Sequence, residues 1–292
     1  MPRTTGSGTG PPEASGGSAL ARVRADWTNL GAADPMWAVL VQPEGRHGAW
    51  DPQAFYATGR AEVSRALDEA TALGARPGHA LALDFGCGVG RLTMALAEHV
   101  DAVIGIDVSA PMIELARRHD TTGRCTFLRN DAPDLSIIDT GSVDIAYSSL
   151  VLQHIPAPYN STFLAELVRV LRPGGLLVVQ VATRPDHSLR GRIARIAPRV
   201  AMRFAQRVLL RYPAPMEMHA LPASVVYDVA RGHDATVLSA VEEPMYGGHW
   251  VYTRYYVVKH GKSKHSSEQA SGEGAADDPG TSAGAVDERA AP

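Results

Sequence analysis

The sequence predicts an α/β protein built on a doubly wound, mainly parallel β-sheet. From residue 60 onward, short apolar runs alternate with stretches of helical periodicity, which is the pattern of βαβ units. One run, LLVVQVA at 176–182, is apolar almost throughout, as a strand covered on both faces would be. A glycine-rich loop follows the first run in LALDFGCGVGR at 81–91. In such sheets, ligands bind beyond the carboxyl ends of the strands.

Periodicity and helix-start signals define the predicted elements in chain order. Ser109 is expected to cap a helix that has Pro111 in its first turn. Trp250–Lys259 alternates Tyr and Val with polar residues, as an edge or antiparallel strand would. The predicted helices are 61–73, 91–99, one beginning at 109, 160–171 and 222–232, and the predicted strands are 79–85, 102–106, 125–128, 143–148, 176–182, 235–241 and 250–259.

Composition indicates one domain between two tails. Residues 1–18 and 261–292 consist mostly of small and polar residues with little to bury, so both are predicted to be disordered. Residues 19–260 are predicted to form a single domain. Within it, 19–60 is rich in Trp and is expected to form a helical lid or cover, and 184–218 is expected to form a cap insert.

Charge and cysteine usage narrow the possible partners and location. The formal charge of −3 argues against nucleic acid as a partner. Two cysteines provide neither a disulfide framework nor metal-ligand spacing, which suits a reducing cytosol. No signal peptide is recognisable, and no apolar stretch approaches the roughly 20 residues of a membrane span. We therefore expect a cytoplasmic protein without a metal site or a transmembrane segment.

The glycine loop alone does not identify its ligand. A dinucleotide fingerprint that starts at Gly86 requires glycine at the sixth position, where Arg91 stands. A phosphate loop is excluded because no Gly-Lys-Ser/Thr follows. Asp84 precedes the loop, and an acid there repels pyrophosphate but attracts an ammonium group and a sulfonium.

Further polar residues follow the next two strands. Asp107 ends the second strand, where a carboxylate can accept both hydroxyls of a ribose. Asn130-Asp131-Ala132 ends the third strand, where an acceptor could bind an exocyclic adenine amine. Each acid alone is weak evidence, but Asp84, Asp107 and Asp131 at successive strand ends indicate a positively charged sulfur nucleoside.

With these residues the chain resembles the class I S-adenosylmethionine-dependent methyltransferase family, of the small-molecule type. The resemblance covers residues 55–183 closely and the last two strands loosely. It implies a seven-stranded sheet in the order 3-2-1-4-5-7-6 with strand 7 antiparallel, and S-adenosyl-L-methionine as cofactor. The matching motifs are LDFGCGVGR at 83–91, GIDVS at 105–109 with Met112-Ile113, Asn130-Asp131, VDIAYS at 143–148 and VLRPGGLL at 170–177.

The resemblance also implies roles for individual residues. Glycines of the loop would flank the methionine part of the cofactor, and Asp107 would bind its ribose. Met112 would either pack on the adenine or serve ordinary helix packing. The implied cofactor-binding residues are Asp84, Gly86, Gly88, Asp107, Val108, Met112, Asp131, Ala132 and Ser148.

His154 is the candidate catalytic base. It follows the fourth strand at the end where an acceptor should lie, and a hydroxyl or ammonium acceptor must lose its proton. Histidine at this point of the family also packs or lines the pocket without acting as the base.

The insert carries eight arginines between residues 184 and 211 against one acid, Asp186. Five of these arginines recur every fourth residue from Arg195 to Arg211, beside an apolar face. A cap of this kind could attract an anionic acceptor or a membrane surface, or its charge could be a solvated helix face. We favour the solvated face for the charge, and still expect the insert to shape the pocket.

The expected function is methyl transfer from S-adenosylmethionine to a small-molecule acceptor, with O-methylation of a secondary metabolite or sugar preferred. Alternatives are N- or C-methylation on the same fold, and a cofactor-binding scaffold without catalysis. A nicotinamide oxidoreductase is disfavoured by Arg91 in the loop. The acceptor is expected to be a small molecule that could be anionic, and the sequence does not indicate an oligomeric state.

Overall fold

A computed structural model describes residues 16–243 and 249–261 and is built around a seven-stranded sheet. The strand order is β3-β2-β1-β4-β5-β7-β6, with parallel pairing from β3 to β5. The last strand, β7, is antiparallel to both of its neighbours. The predicted fold class and strand order are therefore confirmed. The strands are β1 Leu81–Phe85, β2 Ala102–Asp107, β3 Cys125–Arg129, β4 Val143–Ser149, β5 Leu171–Pro185, β6 Ala235–Glu243 and β7 Trp250–Lys259.

Helices precede the sheet and connect its strands. They are α1 Gly16–Ala33, α2 Pro35–Val39, α3 Pro52–Ala72, α4 Arg91–Leu96, α5 Ala110–His119, α6 Tyr159–Val170, α7 Leu189–Ile196, α8 Arg199–Phe204 and α9 Ala223–Gly232. Short 3-10 turns lie at Pro43–Gly45 and Leu152–His154, and a π turn lies at Ala205–Leu209. Among the described residues, no helix combines the length and apolar character needed to cross a bilayer.

The two faces of the sheet bury different side chains because neighbouring strand residues point in opposite directions. In β1, Leu83 and Phe85 join the core cluster that includes residues of α6 and α9. Ala82 joins the other cluster, which includes residues of α3 and α4. All seven residues of β4 are buried, as expected for a central strand covered on both sides.

Helix α3 is longer than predicted, because the predicted helix 61–73 is only its second half. The side chain of Asp51 caps the first turn by accepting from the Ala54 backbone N–H, and Pro52 takes the first position. Gly59 lies inside the helix where α3 passes close to α4. A Cβ at Gly59 would lie 2.2 Å from the Arg91 carbonyl oxygen, so glycine permits this approach.

The boundaries of other elements also differ from the prediction. Strand β5 begins at Leu171 rather than 176, and its pairing with β4 is irregular at the start. Ser109 precedes α5 as predicted, but its side chain makes no capping hydrogen bond. Helix α1 begins at Gly16, inside the predicted N-terminal tail; of the two predicted tails, residues 1–15 and 262–292 lie outside the described part of the chain.

The N-terminal helices pack on the glycine loop. Leu30, Trp37 and Phe55 form one buried cluster with Val89 of that loop and Met112 of α5. The segment 19–60 is thus largely helical and covers the carboxyl-end side of the sheet, while its action as a lid stays a prediction.

Candidate active site

A cavity of about 1060 Å³ lies at the carboxyl ends of the parallel strands. Its walls come from the loops after β1 to β4, from the N-terminal helices, and from the insert that follows β5. Ligand pockets in proteins typically measure roughly 300–1,000 Å³. The cavity therefore has room for a nucleoside and a second small molecule side by side.

The glycine loop turns sharply at the end of β1. Gly86, Gly88 and Gly90 have φ angles of 76°, 53° and 83°, a region in which a side chain is strained. A Cβ at Gly86 would also lie 2.2 Å from a Val151 methyl carbon. Glycine thus allows the backbone itself to form the cavity wall at Gly86 and Gly88.

Asp107 joins the loops after β1 and β2. One of its carboxylate oxygens accepts the Gly88 N–H at 2.9 Å, and the other accepts the Ser109 N–H at 2.8 Å. Burial raises the pKa of Asp107, although these N–H donors lower it. A carboxylate has about four lone-pair positions. Asp107 lines the cavity with acceptor capacity left for hydroxyl donors.

The loop after β3 lines the cavity as predicted, with an unforeseen ion pair. Asp131 accepts from Arg24 of α1 at 2.8 Å and from Arg129 at 3.0 Å, and is about half exposed. The side chain of Asn130 accepts the Ala132 N–H at 3.1 Å, which holds the loop in shape. Asp131 and Ala132 therefore lie at the rim, with Asp131 already engaged by two guanidinium groups.

Met112 and Val108 also line the cavity. Met112 is buried, and its Cγ would lie 2.7 Å from a Cβ placed on Gly31 of α1. Met112 therefore packs between helices and also contributes to the cavity wall, while its contact with an adenine stays a prediction.

Asp84 and Ser148 require a correction, because neither is among the cavity-lining residues. Asp84 lies on the α4 side of β1, where it accepts from the Thr93 hydroxyl at 2.6 Å. Burial raises the pKa of Asp84 to about 7. Ser148 is fully buried and donates to the Phe85 carbonyl at 3.1 Å, whereas its neighbour Ser149 lines the cavity.

His154 lies in the cavity wall, in the turn after β4. Its Nδ1 lies 2.8 Å from the Glu217 carbonyl oxygen. A carbonyl only accepts, so Nδ1 carries the proton and Nε2 keeps its lone pair. Burial lowers the pKa of His154 to about 4, although the bond to Glu217 raises it. The imidazole is therefore neutral at physiological pH, and Trp27 packs edge-on against it at 4.9 Å.

The insert lines the cavity with Arg195, Arg199 and Arg203, while Arg207 and Arg211 are not part of its wall. Arg203 pairs with the Glu217 side chain and, at 3.2 Å, with Asp26 of α1. The other two cavity arginines have no carboxylate partner among the described residues. The guanidinium of Arg199 lies 3.4 Å from His219 Nδ1.

A buried polar chain behind Ser149 was not predicted. The Ser149 hydroxyl donates to the Gln180 side-chain oxygen at 3.0 Å, and the Gln180 amide donates to Glu243. Glu243 pairs at 3.0 Å with Arg254 of β7, which is almost fully buried. The chain thus runs from the cavity wall through β5 to the antiparallel strands.

A second buried ion pair continues this chain to the N-terminal helices. Glu62 of α3 pairs with Arg91 at 2.8 Å and with Arg254 at 3.5 Å. Burial alone would raise the pKa of Glu62, but the two arginines lower it below its ordinary value. Because each charge is matched, the network can stay ionised inside the protein. No local motif joins residues that are so far apart in sequence.

Gln153 is a further site residue that the sequence did not single out. It is almost fully buried, lines the cavity, and its side-chain oxygen has no hydrogen-bond partner among the described residues. A buried acceptor of this kind costs free energy unless a ligand or solvent satisfies it. No group of three or more His, Cys, Asp or Glu in the described ranges is arranged to hold a metal ion.

Comparisons with known proteins identify the domain. A family model described as a methyltransferase domain matches residues 83–179. The trans-aconitate 2-methyltransferase of Deinococcus radiodurans is 35% identical over 141 residues, which are 48% of this chain and 52% of that protein. The demethylmenaquinone methyltransferase of Lactiplantibacillus plantarum is 36% identical over 37% of this chain and 47% of that protein. The chain spans about half the length of these curated relatives.

Solved structures show the same fold. Magnesium protoporphyrin IX methyltransferase from Synechocystis PCC 6803, with bound SAH, aligns with a TM-score of 0.55 and 18% identity over 81% of this chain and 98% of that one. Together, the strand order and the match over residues 83–179 show that this part of the chain is a methyltransferase domain with the fold of the class I S-adenosylmethionine-dependent methyltransferases. The Synechocystis protein has been solved with bound SAH and with bound SAM (S-adenosyl-L-methionine).

The residues of the cavity fit that cofactor. Asp107 has free acceptor positions beside a glycine wall, and the unpartnered Gln153 oxygen can accept from a charged or neutral N–H or O–H. Met112 and Val108 provide an apolar surface for a flat base.

Proposed function

We propose that this chain transfers a methyl group from S-adenosylmethionine to an oxygen atom of a small acceptor that carries an anionic group. The observation that carries the proposal is the pair Arg195 and Arg199, which line the cavity without a carboxylate partner among the described residues. A guanidinium group binds carboxylates and phosphates in a planar, two-pronged geometry. The insert would thus bind the acceptor while the strand ends bind the cofactor.

The cofactor, when bound, supplies a methyl group on a positively charged sulfur whose leaving group is neutral. The protein has mainly to align the acceptor oxygen with that methyl group and exclude water. Asp107 and Gln153 would hold the cofactor side, and Arg195 and Arg199 would hold the acceptor side. The N-terminal helices and the insert enclose the space between them.

The basicity of His154 favours an acidic oxygen as the methyl acceptor. A carboxylic acid is ionised at neutral pH and needs no general base. With a pKa of about 4, His154 is a weak proton acceptor, although its Nε2 lone pair can accept a hydrogen bond that positions the acceptor. The similarity to trans-aconitate 2-methyltransferase, whose name gives an anion as acceptor, supports the proposal.

A second candidate is the neutral hydroxyl of a metabolite or sugar, with His154 Nε2 accepting its proton. The bond from Nδ1–H to Glu217 favours it, because this bond leaves Nε2 unprotonated. His154→Gln separates the two candidates. We expect less than a tenfold fall in kcat/KM for an acidic acceptor, and a fall of roughly 10²–10⁴ for a hydroxyl that needs a base.

The test is a methyl-transfer screen with labelled cofactor over matched pairs of small carboxylates and their neutral amides. We expect the carboxylates to be methylated on oxygen. The double variant Arg195→Gln, Arg199→Gln should lose about 10- to 100-fold in kcat/KM with unchanged cofactor affinity, because it removes hydrogen bonds to a charged group. Arg207→Gln, outside the cavity wall, is the matched control.

Equal turnover of acids and amides, or no effect of the double variant, would contradict the anionic acceptor. Products methylated at nitrogen or carbon would show that the chain is an N- or C-methyltransferase and not an O-methyltransferase. Cofactor binding without methyl transfer to any compound in the screen would favour the alternative of a cofactor-binding scaffold without catalysis.

A further inference from the structure

The outer surface of the insert exposes an apolar stripe that the methyl-transfer site does not use. Leu189, Ile196, Val200 and Phe204 are 73%, 80%, 79% and 63% exposed. Of the thirteen large apolar side chains exposed among the described residues, eight lie between 189 and 210. A contiguous apolar surface on a water-soluble body normally marks a contact site. We call this stripe the outer cap face; it consists of Leu189, Ile193, Ile196, Val200, Phe204, Val208 and Leu209.

The stripe follows the helical repeat and lies apart from the cavity. Leu189, Ile193 and Ile196 are spaced by four and three residues and share one side of α7. After the extended residues Ala197 and Pro198, Val200, Phe204 and Val208 recur every fourth residue along α8 and the π turn and share one side there. None of the seven is among the cavity-lining residues, whereas Arg195, Met202 and Gln206 of the same segment are. The insert therefore turns both polar and apolar side chains toward the cavity and an apolar stripe toward solvent.

Positive charge accompanies the stripe. The segment 184–211 holds eight arginines and one acid. Arg192, Arg207 and Arg211 are exposed, and their side chains have no partner within 16–243 and 249–261. A short amphipathic segment with apolar side chains on one face and arginines beside them is suited to lie in the interface of an anionic bilayer.

We infer that the outer cap face docks this protein onto the surface of a membrane that contains anionic lipids. The apolar stripe enters the headgroup region, and Arg192, Arg207 and Arg211 contact the lipid phosphates. The docking is peripheral, because α7 and α8 have eight and six residues and are too short to span a bilayer. This inference goes beyond the proposed methyl transfer and does not depend on it.

Charge argues against a second copy of the chain as the occupant. A two-fold symmetric dimer places the same surface on both sides of the contact. Such a contact would bring one arginine-rich flank against another, with only Asp186 in the segment to offset the charge. An anionic lipid surface satisfies both the arginines and the apolar stripe, whereas a nucleic acid would satisfy only the arginines.

Vesicle flotation tests the inference on the full chain. The probes are phosphatidylglycerol–phosphatidylcholine vesicles and pure phosphatidylcholine vesicles, at low and high salt. We expect partition onto the anionic vesicles, weakened by salt, and little partition onto the neutral ones. The triple variant Ile196→Ser, Val200→Ser, Phe204→Ser should lower the partition coefficient at least about tenfold.

Two matched variants sharpen the test. The double variant Arg192→Gln, Arg207→Gln should lower partition about fivefold per arginine on anionic vesicles alone. The control Leu73→Ser, Ile137→Ser, Val241→Ser removes exposed apolar side chains outside the outer cap face and should leave partition unchanged. Thermal unfolding and calorimetric cofactor binding establish that each variant is folded with an intact nucleoside site.

The inference is overturned if the wild-type chain ignores anionic vesicles, or if the triple variant partitions as the wild type does. It is also overturned if sedimentation shows that the wild-type chain forms dimers and the triple variant does not, while neither protein partitions onto vesicles. Loss of methyl transfer with vesicle binding intact would instead count against the proposed function alone.

Discussion

The cofactor side and the cap side of the cavity are built by different means. On the cofactor side, backbone groups position the key carboxylate, because Asp107 accepts two main-chain N–H groups from adjacent loops. On the cap side, side-chain ion pairs hold the wall in place, because Arg203 of α8 pairs with Glu217 and Asp26. The first arrangement depends on strand ends that the fold itself fixes. The second depends on side chains that can change without altering the sheet.

This difference separates what the fold determines from what the particular chain determines. Backbone geometry at the strand ends explains why the cofactor site follows from membership of the fold family. The charge of Arg195 and Arg199 and the exposed stripe belong to the insert, which lies outside the matched family region 83–179. We therefore propose that acceptor choice and surface contacts are properties of the insert.

The largest expected effect on stability and cofactor binding comes from a substitution in the glycine loop. Gly86→Ala forces a side chain into a positive-φ position and toward a Val151 methyl carbon at 2.2 Å. We expect a loss of about 2–5 kcal/mol in the free energy of unfolding, together with loss of cofactor binding. Denaturant unfolding and calorimetry measure both.

Gly74→Ala is the matched control for that change. Gly74 has a φ of 90°, but a Cβ there meets nothing within 4 Å. It should cost only the backbone strain of about 1–2 kcal/mol and leave cofactor binding intact. Equal losses for both variants would show that the contact with Val151 is not what requires glycine at position 86.

The next largest effect is the pH dependence of stability that arises from the buried carboxyl group of Asp84. Burial raises the pKa of Asp84 to about 7, so the folded protein keeps a proton that the unfolded chain releases near pH 4. The stability contributed by this group is therefore present at low pH and is lost as the pH rises from about 4 to about 7. The side chain in Asp84→Asn does not titrate. The free energy of unfolding of this variant, relative to that of the wild type, should therefore increase by on the order of 2–4 kcal/mol across that window.

Chemical denaturation at several pH values measures the effect of Asp84→Asn. Asp186→Asn in the insert is the control, because the pKa of Asp186 is lowered rather than raised, so this group loses no stability as the pH rises. A variant-to-wild-type difference at Asp84 that stays constant from pH 4 to pH 8 would contradict the buried, protonated acid.

The smallest expected effect compares two acids of the rim. Asp107→Ala should weaken cofactor binding by about 1–3 kcal/mol, because it removes hydrogen bonds to a charged group. Asp131→Ala should cost less than about 1 kcal/mol, since Asp131 is half exposed and pairs with arginines in solvent. Calorimetric titration with S-adenosylmethionine measures both variants, and similar losses would place the ribose outside the reach of Asp107.

The sequence predicted the features that depend on local pattern. Apolar runs and turn residues predicted the strands of the sheet, and Asp107, which ends a strand, lines the cavity as expected, while its role in binding the cofactor stays a prediction. Asp84 was misplaced, because its position inside β1 directs it to the α4 side, where Thr93 binds it. In the same way, Ser148 is turned into the protein while Ser149 faces the cavity.

The remaining differences involve partners that are distant in the chain. Glu62 and Arg254 meet although they are 192 positions apart in the sequence, and Arg24 reaches Asp131 from the first helix. Such contacts form only when helices and strands are assembled, so no short sequence motif predicts them. The unpartnered oxygen of Gln153 is likewise visible only once burial is known.

The most direct test of the central claim is a crystal structure of the chain with S-adenosylhomocysteine. We predict the ribose hydroxyls within hydrogen-bond distance of the Asp107 carboxylate, the nucleoside between the glycine loop and Met112, and Asp84 still bound to Thr93. A nucleoside bound elsewhere in the cavity, with Asp107 contacting only the Gly88 and Ser109 N–H groups, would contradict the account.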